Sequence, residues 1–228
     1  MSIAENLKQV QDRIAAAAKR AGRDPGAVTL VTVSKTVEHE RIREAVAAGA
    51  SVLGENRVQE AKEKIEALGR IASWHLIGRL QSNKAKYAVR LFDLIHSVDS
   101  LDLAKELDKQ AVKNNKVQDV LIEVSIAGEE QKAGVAAEAL GGFVREAAQL
   151  SHIRIRGLMA MPPYSEDPED SRHYYRRLRE LAGSLKELKV RNVSMDILSM
   201  GMSGDFEVAV EEGATMVRVG TAIFGERT

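Results

Sequence analysis

The stretch Val28–Thr36, VTLVTVSKT, is a run of β-formers that ends in a lone lysine. Side chains alternate along a strand, so Thr29, Val31, Val33 and Lys35 share one side. From here onward the sequence repeats a strand-then-helix unit. That repeat predicts that the stretch is the first strand of a closed parallel barrel, with the shared side turned inward. Lys35 then stands at the C-terminal tip of the strand, at the mouth of an apolar interior. Desolvation lowers an ammonium's pKa and frees the amine as a nucleophile, the property that carbonyl chemistry such as Schiff-base formation needs. Taken alone, the stretch reads more simply as a strand-end lysine that reaches solvent.

Upstream, Ile3, Leu7, Val10, Ile14 and Ala17/Ala18 recur at steps of three and four, which predicts a helix from Ser2 to about Ala21. Ser2 and Glu5 have capping-box spacing, and Gly22 with Pro25 ends the helix. Its place before the first strand suggests a plug for the bottom of the barrel. Downstream, helices over about 38–48, 57–68 and 81–91 alternate with the strands SVLGE, SWHLIG and LIHSV. Asp99 is expected to cap a helix to about Asn114. The fifth strand is DVLIEVSI (119–126), a glycine- and charge-rich loop covers 128–134, and a helix spans about 136–150. IRGLMAM is the sixth strand and runs into MPPYSEDPED. Asp167 and Pro168 then start a helix that carries Leu178, Leu181, Leu185 and Leu188. ILSM, a short helix over 205–212 and TMVRVG complete the series. Eight strands with intervening helices predict a (β/α)8 TIM-type barrel with an extra N-terminal helix; a doubly wound open sheet is the alternative. No linker or shift in composition divides residues 1–228, so they read as one domain.

Lys+Arg and Asp+Glu both number 33, so no net charge draws the chain to nucleic acid or an anionic membrane. Cysteine is absent, which removes disulfides and thiolate metal sites and fits a reducing compartment. The start lacks the order of a signal peptide and no apolar run approaches a membrane span, so a cytoplasmic location is expected.

In such barrels chemistry gathers at the C-terminal ends of the strands, and phosphate is often held after strands seven and eight. SMGMSGD (199–205) places Gly201, Ser203 and Gly204 before a short helix, where backbone N–H groups and a hydroxyl converge as in a phosphate cradle; Ser203 reads as readily as an N-cap. RVGTAIFG (218–225) adds Gly220 and Thr221. Arg218 shares parity with Met216 and Gly220. If that face is interior, its guanidinium needs an acceptor, and Glu123 or Asp196 would serve as a structural partner. GENRVQE (54–60) supplies Asn56, a donor and acceptor that also reads as a helix cap. His75 reads as a hydrogen-bonded core histidine rather than a catalyst, Arg79 lies just beyond it, and no histidines have metal-ligand spacing. A strand-one lysine with a phosphate cup points to a phosphorylated carbonyl compound: a sugar phosphate in an aldolase, or pyridoxal 5'-phosphate (PLP).

VTVSKT, GENRVQE, WHLIGRLQSNK, SMGMSGD and RVGTAIFG, in that order, resemble the PLP homeostasis protein family, whose barrel is similar to the N-terminal domain of alanine racemase. The resemblance covers nearly the whole chain. It implies that Lys35 holds PLP as a Schiff base and that Ser203, Gly220 and Thr221 bind its phosphate. Arg218 would face the pyridine nitrogen and Asn56 would lie near the ring. A cation at that nitrogen disfavours its protonation and weakens the ring as an electron sink. Arg57 stands where the family often has an aromatic residue, which leaves the ring's outer edge open. The implied role is buffering or delivery of PLP to apo PLP enzymes by a monomer or weak dimer, with no catalytic residues and no metal. The rivals are a PLP-dependent racemase or lyase and a lysine-dependent aldolase. Two-base racemisation needs a second group on the opposite face, which racemases draw from an added β domain. Only Gly225–Thr228 follow Phe224, and no such domain is expected.

Overall fold

The computed structural model describes residues 1–128 and 133–226. Eight parallel strands form a ring: β1 (Thr29–Val33), β2 (Val52–Glu55), β3 (Ser73–Leu76), β4 (Leu94–Val98), β5 (Gln118–Ser125), β6 (Ile153–Met159), β7 (Val193–Ser199) and β8 (Met216–Val219). The order is sequential. β1 pairs with β8 (Thr29 opposite Met216), and β4 with β5 (Leu94 opposite Asp119). With every strand paired on both sides, the ring has no free edge and the open-sheet alternative is excluded. A two-residue segment, Val135–Ala136, pairs with the end of β5 outside the ring.

Period-two alternation sorts the strand side chains as expected. Val31, Val33, Ile77, Leu94, Leu121, Met159 and Met216 form a small cluster inside the barrel. The larger apolar core lies between the strands and the outer helices. These helices are α1 (Ile3–Arg20), α2 (His39–Ala47), α3 (Val58–Leu68), α4 (Ala85–Leu91), α5 (Leu101–Lys113), α6 (Leu140–Ala147), α7 (Arg172–Lys186), α8 (Phe206–Glu211) and α9 (Thr221–Phe224).

Helix α1 begins with the predicted capping box, both of its bonds present. It does not plug the barrel. It joins the outer layer against α2, α8 and α9, held by Arg13 to Glu207, Arg20 to Glu211 and Asn6 to the Ile223 carbonyl. The reason is its single apolar stripe; a plug needs burial all round, and the other face is charged. Ser100, not Asp99, caps α5, while Asp99 faces Arg79 at 3.7 Å. Asp167 caps a 3-10 turn (Pro168–Ser171) that leads into α7. Helix α6 starts later than expected because Val135–Ala136 is extended and a 3-10 turn (Ala137–Ala139) follows. The 128–134 loop falls largely outside the described residues. Among the described residues no helix is long and apolar enough to cross a membrane.

Candidate functional site

A cavity of about 470 Å³ opens at the C-terminal end of the barrel, and Lys35, Asn56, Ser203, Arg218, Gly220 and Thr221 all line it. Six residues selected from four separate motifs are thus brought to one place. Val33, Ile77, Met161 and Pro162 give it apolar walls, and Tyr164, 91% exposed, stands at its rim.

Lys35 occupies the turn just after β1, two residues beyond inward-facing Val33. Its backbone is clamped from behind. Lys64 on α3 is buried and donates to the Ser34 carbonyl, to Glu55 Oε1 (2.8 Å) and to Glu60 Oε1 (2.7 Å). Glu60 also accepts from the Thr36 N–H, and Glu55 accepts from Ser34 Oγ at 2.6 Å. Both neighbours of Lys35 are therefore tied to one ion-pair cluster. Thr36 has φ of 60°, a left-handed value that a β-branched residue adopts only when its surroundings enforce it.

After β7 the chain turns through Gly201 at φ 92°, where a Cβ would lie 2.6 Å from the Ala209 methyl. Asp205 shapes the loop that follows. It accepts from the Met202 N–H (2.7 Å) through one oxygen, and from Tyr175 Oη (2.5 Å) and Ser171 Oγ (3.2 Å) through the other. Asp205, not Ser203, is the cap residue of α8. Ser203 Oγ instead accepts from the Gly220 N–H at 3.4 Å, which joins the loops after β7 and β8 and leaves the hydroxyl proton for another acceptor. The N–H groups of Gly204, Thr221 and Ala222 have no acceptor among the described residues. Those of Gly204 and Thr221, with the Ser203 hydroxyl, line one end of the cavity and are a donor set suited to a phosphate.

Arg218 is 4% exposed and lies one inward position above Met216. Its acceptors are neutral: the Ser199 carbonyl (2.8 Å), Ser199 Oγ (2.7 Å) and the Ala160 carbonyl (3.2 Å). Neither expected carboxylate is a hydrogen-bond partner, although the charge of Glu123 acts on Arg218. Asp196 points outward to Lys186, and Glu123 is a buried group whose carboxyl is pushed up by burial and by Asp99 against the pull of Arg218 and Arg79. Behind Ser199 stand His96 (3.0 Å) and, beyond it, His75 (3.1 Å). Burial holds His75 down to about 4 and His96 well below the usual imidazole range, so both are neutral at pH 7. His75 is thus the hydrogen-bonded interior histidine that was expected. His96 and Ser199 are new members of the site; the alternation Leu94, His96 in LIHSV is the signal that marks His96 as inward. Arg57 is exposed and absent from the cavity lining, and it, not Asn56, precedes α3 as the cap. Among the described residues no group of three His, Cys, Asp or Glu side chains is placed to hold a metal ion.

Residues 5–228 match the family model of the alanine racemase N-terminal domain. A pyridoxal phosphate homeostasis protein of Aquifex aeolicus is 52% identical over the whole chain, covering 99% of its own length. The chain belongs to the pyridoxal phosphate homeostasis protein family. Another likeness is to the PipY structure of Synechococcus elongatus with PLP bound, which has a TM-score of 0.86 and 38% identity over 98% of this chain and all of that one. An alanine racemase of Clostridium difficile, at 15% identity, shares the fold alone: its TM-score is 0.76, and the match spans 98% of this chain but 57% of the racemase. Homeostasis-family members and racemases thus share a barrel, and the homeostasis chains match this one end to end.

Proposed function

We propose that this chain binds PLP in the cavity at the barrel mouth and serves PLP homeostasis, holding the cofactor and releasing it to apo enzymes, as a single barrel domain. The observation that carries this reading is the convergence of an amine, a phosphate-type donor set and a buried guanidinium on one cavity of about 470 Å³. The donors of Ser203, Gly204 and Thr221 suit the phosphate, Val33 and Ile77 offer apolar surface to the ring, and Asn56 can donate or accept beside it. Lys35 is the residue we assign to the aldehyde: its amine adds to the carbonyl carbon and one water leaves, giving the Schiff base. When bound, PLP supplies an electron sink, and Arg218 limits it, because a fixed cation opposes protonation of the ring nitrogen. That restraint disfavours turnover and suits storage.

The test is borohydride reduction of the PLP-loaded protein followed by peptide mapping. The adduct is expected on Lys35, with colour lost in Lys35→Ala and the fold retained. Recovery of the label on other lysines alone refutes the assignment.

A further inference from the structure

Arginine only donates hydrogen bonds, so Ser199 Oγ accepts from Arg218 Nη1 at 2.7 Å. The buried hydroxyl keeps one proton to place, and its one other side-chain partner is His96 Nδ1 at 3.0 Å, so satisfying that proton directs it there. His96 Nδ1 is then an acceptor. A neutral imidazole with an accepting Nδ1 carries its proton on Nε2, which lies 3.1 Å from His75 Nδ1. That makes His75 Nδ1 an acceptor in turn and leaves the second histidine protonated on Nε2 as well. All four side chains are interior, at 0 to 6% exposure, so water does not scramble the order. Both imidazoles are held neutral by burial, and His96 further by His75 and by the Arg218 charge.

Arg218 has five N–H groups. Two on Nη1 go to the Ser199 carbonyl and hydroxyl, and one on Nη2 goes to the Ala160 carbonyl. Among the described residues the second Nη2 proton and the Nε proton have no acceptor, and Arg218 lines the cavity. We propose that Ser199 and His96 are positioning residues: through a one-way chain of bonds they hold the guanidinium as a donor toward the cavity, which selects a ligand ring whose nitrogen is an unprotonated acceptor. The inference rests on the reading of the cavity as the PLP site with Arg218 at the ring nitrogen, and what it adds is the pair of residues, Ser199 and His96, that hold the guanidinium in that role. The histidines act at a distance, by denying Ser199 any orientation except the one that faces Arg218 with lone pairs.

Two measurements test it. In the cofactor-free protein, ¹⁵N spectra of labelled histidine at pH 7 should show His75 and His96 neutral with the proton on Nε2. A proton on Nδ1 of either ring, or a charged ring, overturns the chain of bonds. In the second, wild type should bind PLP about tenfold more tightly than 1-deaza-PLP, in which CH replaces the ring nitrogen, as one charge-assisted hydrogen bond gives. Ser199→Ala and His96→Leu should bring that ratio toward one. His96→Gln should restore it, since the amide accepts from Ser199 and donates to His75 with the same polarity. An unchanged ratio in Ser199→Ala overturns the proposal even where His96→Leu fails to fold. Wild type that binds neither compound overturns the cofactor reading and the ring preference with it, while the histidine spectra still judge the bond chain separately.

Discussion

Replacing Lys64 by Met removes the support from behind Lys35. The ammonium is 5% exposed, its partner Glu55 is fully buried, and its three protons go to Ser34, Glu55 and Glu60. Deleting one member of a buried pair costs about 3–5 kcal/mol, a large share of a total stability of roughly 5–15 kcal/mol. Glu55 has a way to limit the loss. Burial already pushes its carboxyl up against the pull of Lys64, so without the ammonium the folded state keeps a proton there. The sign follows from linkage: a carboxyl whose folded pKa lies above its unfolded value favours folding at low pH, and that contribution is lost as pH rises through the folded pKa. The deficit of Lys64→Met relative to wild type should therefore be smaller at pH 5 than at pH 8. Urea unfolding at both pH values measures it, as a lower midpoint at unchanged slope. Lys64→Met/Glu55→Gln should recover part of the loss at pH 8, because the fully buried carboxylate is gone while Ser34 keeps an acceptor and the part-exposed Glu60 keeps the Thr36 N–H. A loss below about 1 kcal/mol at pH 8, or a deficit that ignores pH, would refute this account of the cluster.

Ser203→Ala should weaken PLP retention by about 1.5–3 kcal/mol, the range for a hydrogen bond to a charged group, read by equilibrium dialysis; undiminished retention would place the phosphate elsewhere. In acid, His75 should destabilise the fold. Its folded value of about 4 against about 6.5 unfolded makes the unfolded chain bind more protons, so stability is whole above about pH 6.5 and falls by about 3 kcal/mol as pH drops through 4. His75→Gln should flatten that slope in melts taken between pH 7 and 4. Gly157→Ala should lose more than about 4 kcal/mol, since φ is 155° and a Cβ would lie 1.8 Å from the Ile197 carbonyl oxygen; a melting temperature within a few degrees of wild type would contradict the packing. PLP-loaded protein given single amino-acid enantiomers should show no sustained loss of optical activity or release of CO₂; turnover well above free PLP that vanishes in Lys35→Ala would make it an enzyme.

Local pattern carried the barrel and most of the site. VTLVTVSKT put Lys35 on the inward parity because strand alternation is local, and the glycine- and serine-bearing stretches after β7 and β8 offered backbone and hydroxyl donors because turn chemistry is local as well; the solvent and N-cap readings of Lys35 and Ser203 stayed open until the motifs were taken together. That Lys35, Asn56, Ser203, Arg218, Gly220 and Thr221 line one cavity required only the sequential order of a closed ring. Caps slipped by a residue at α3 and α5 and α6 began late, while the larger failures concern choices between partners far apart in the chain. Arg218 was matched with carboxylates because they are the strongest partners for a guanidinium, yet the register of β6 and β7 offers it two carbonyls and a hydroxyl instead. Helix α1 has an unmistakable apolar stripe, but whether the stripe meets the barrel floor or the outer ring depends on surface shape, which periodicity does not encode. The sequence by itself determined the element order, the inward parity and the residue types at the strand ends, all set by neighbours within a few positions. Only the tertiary structure decided that Ser199, His96 and His75 stand in line behind Arg218 and that Lys64 braces Lys35, because those contacts span 19 to 103 residues and exist only once the ring has closed.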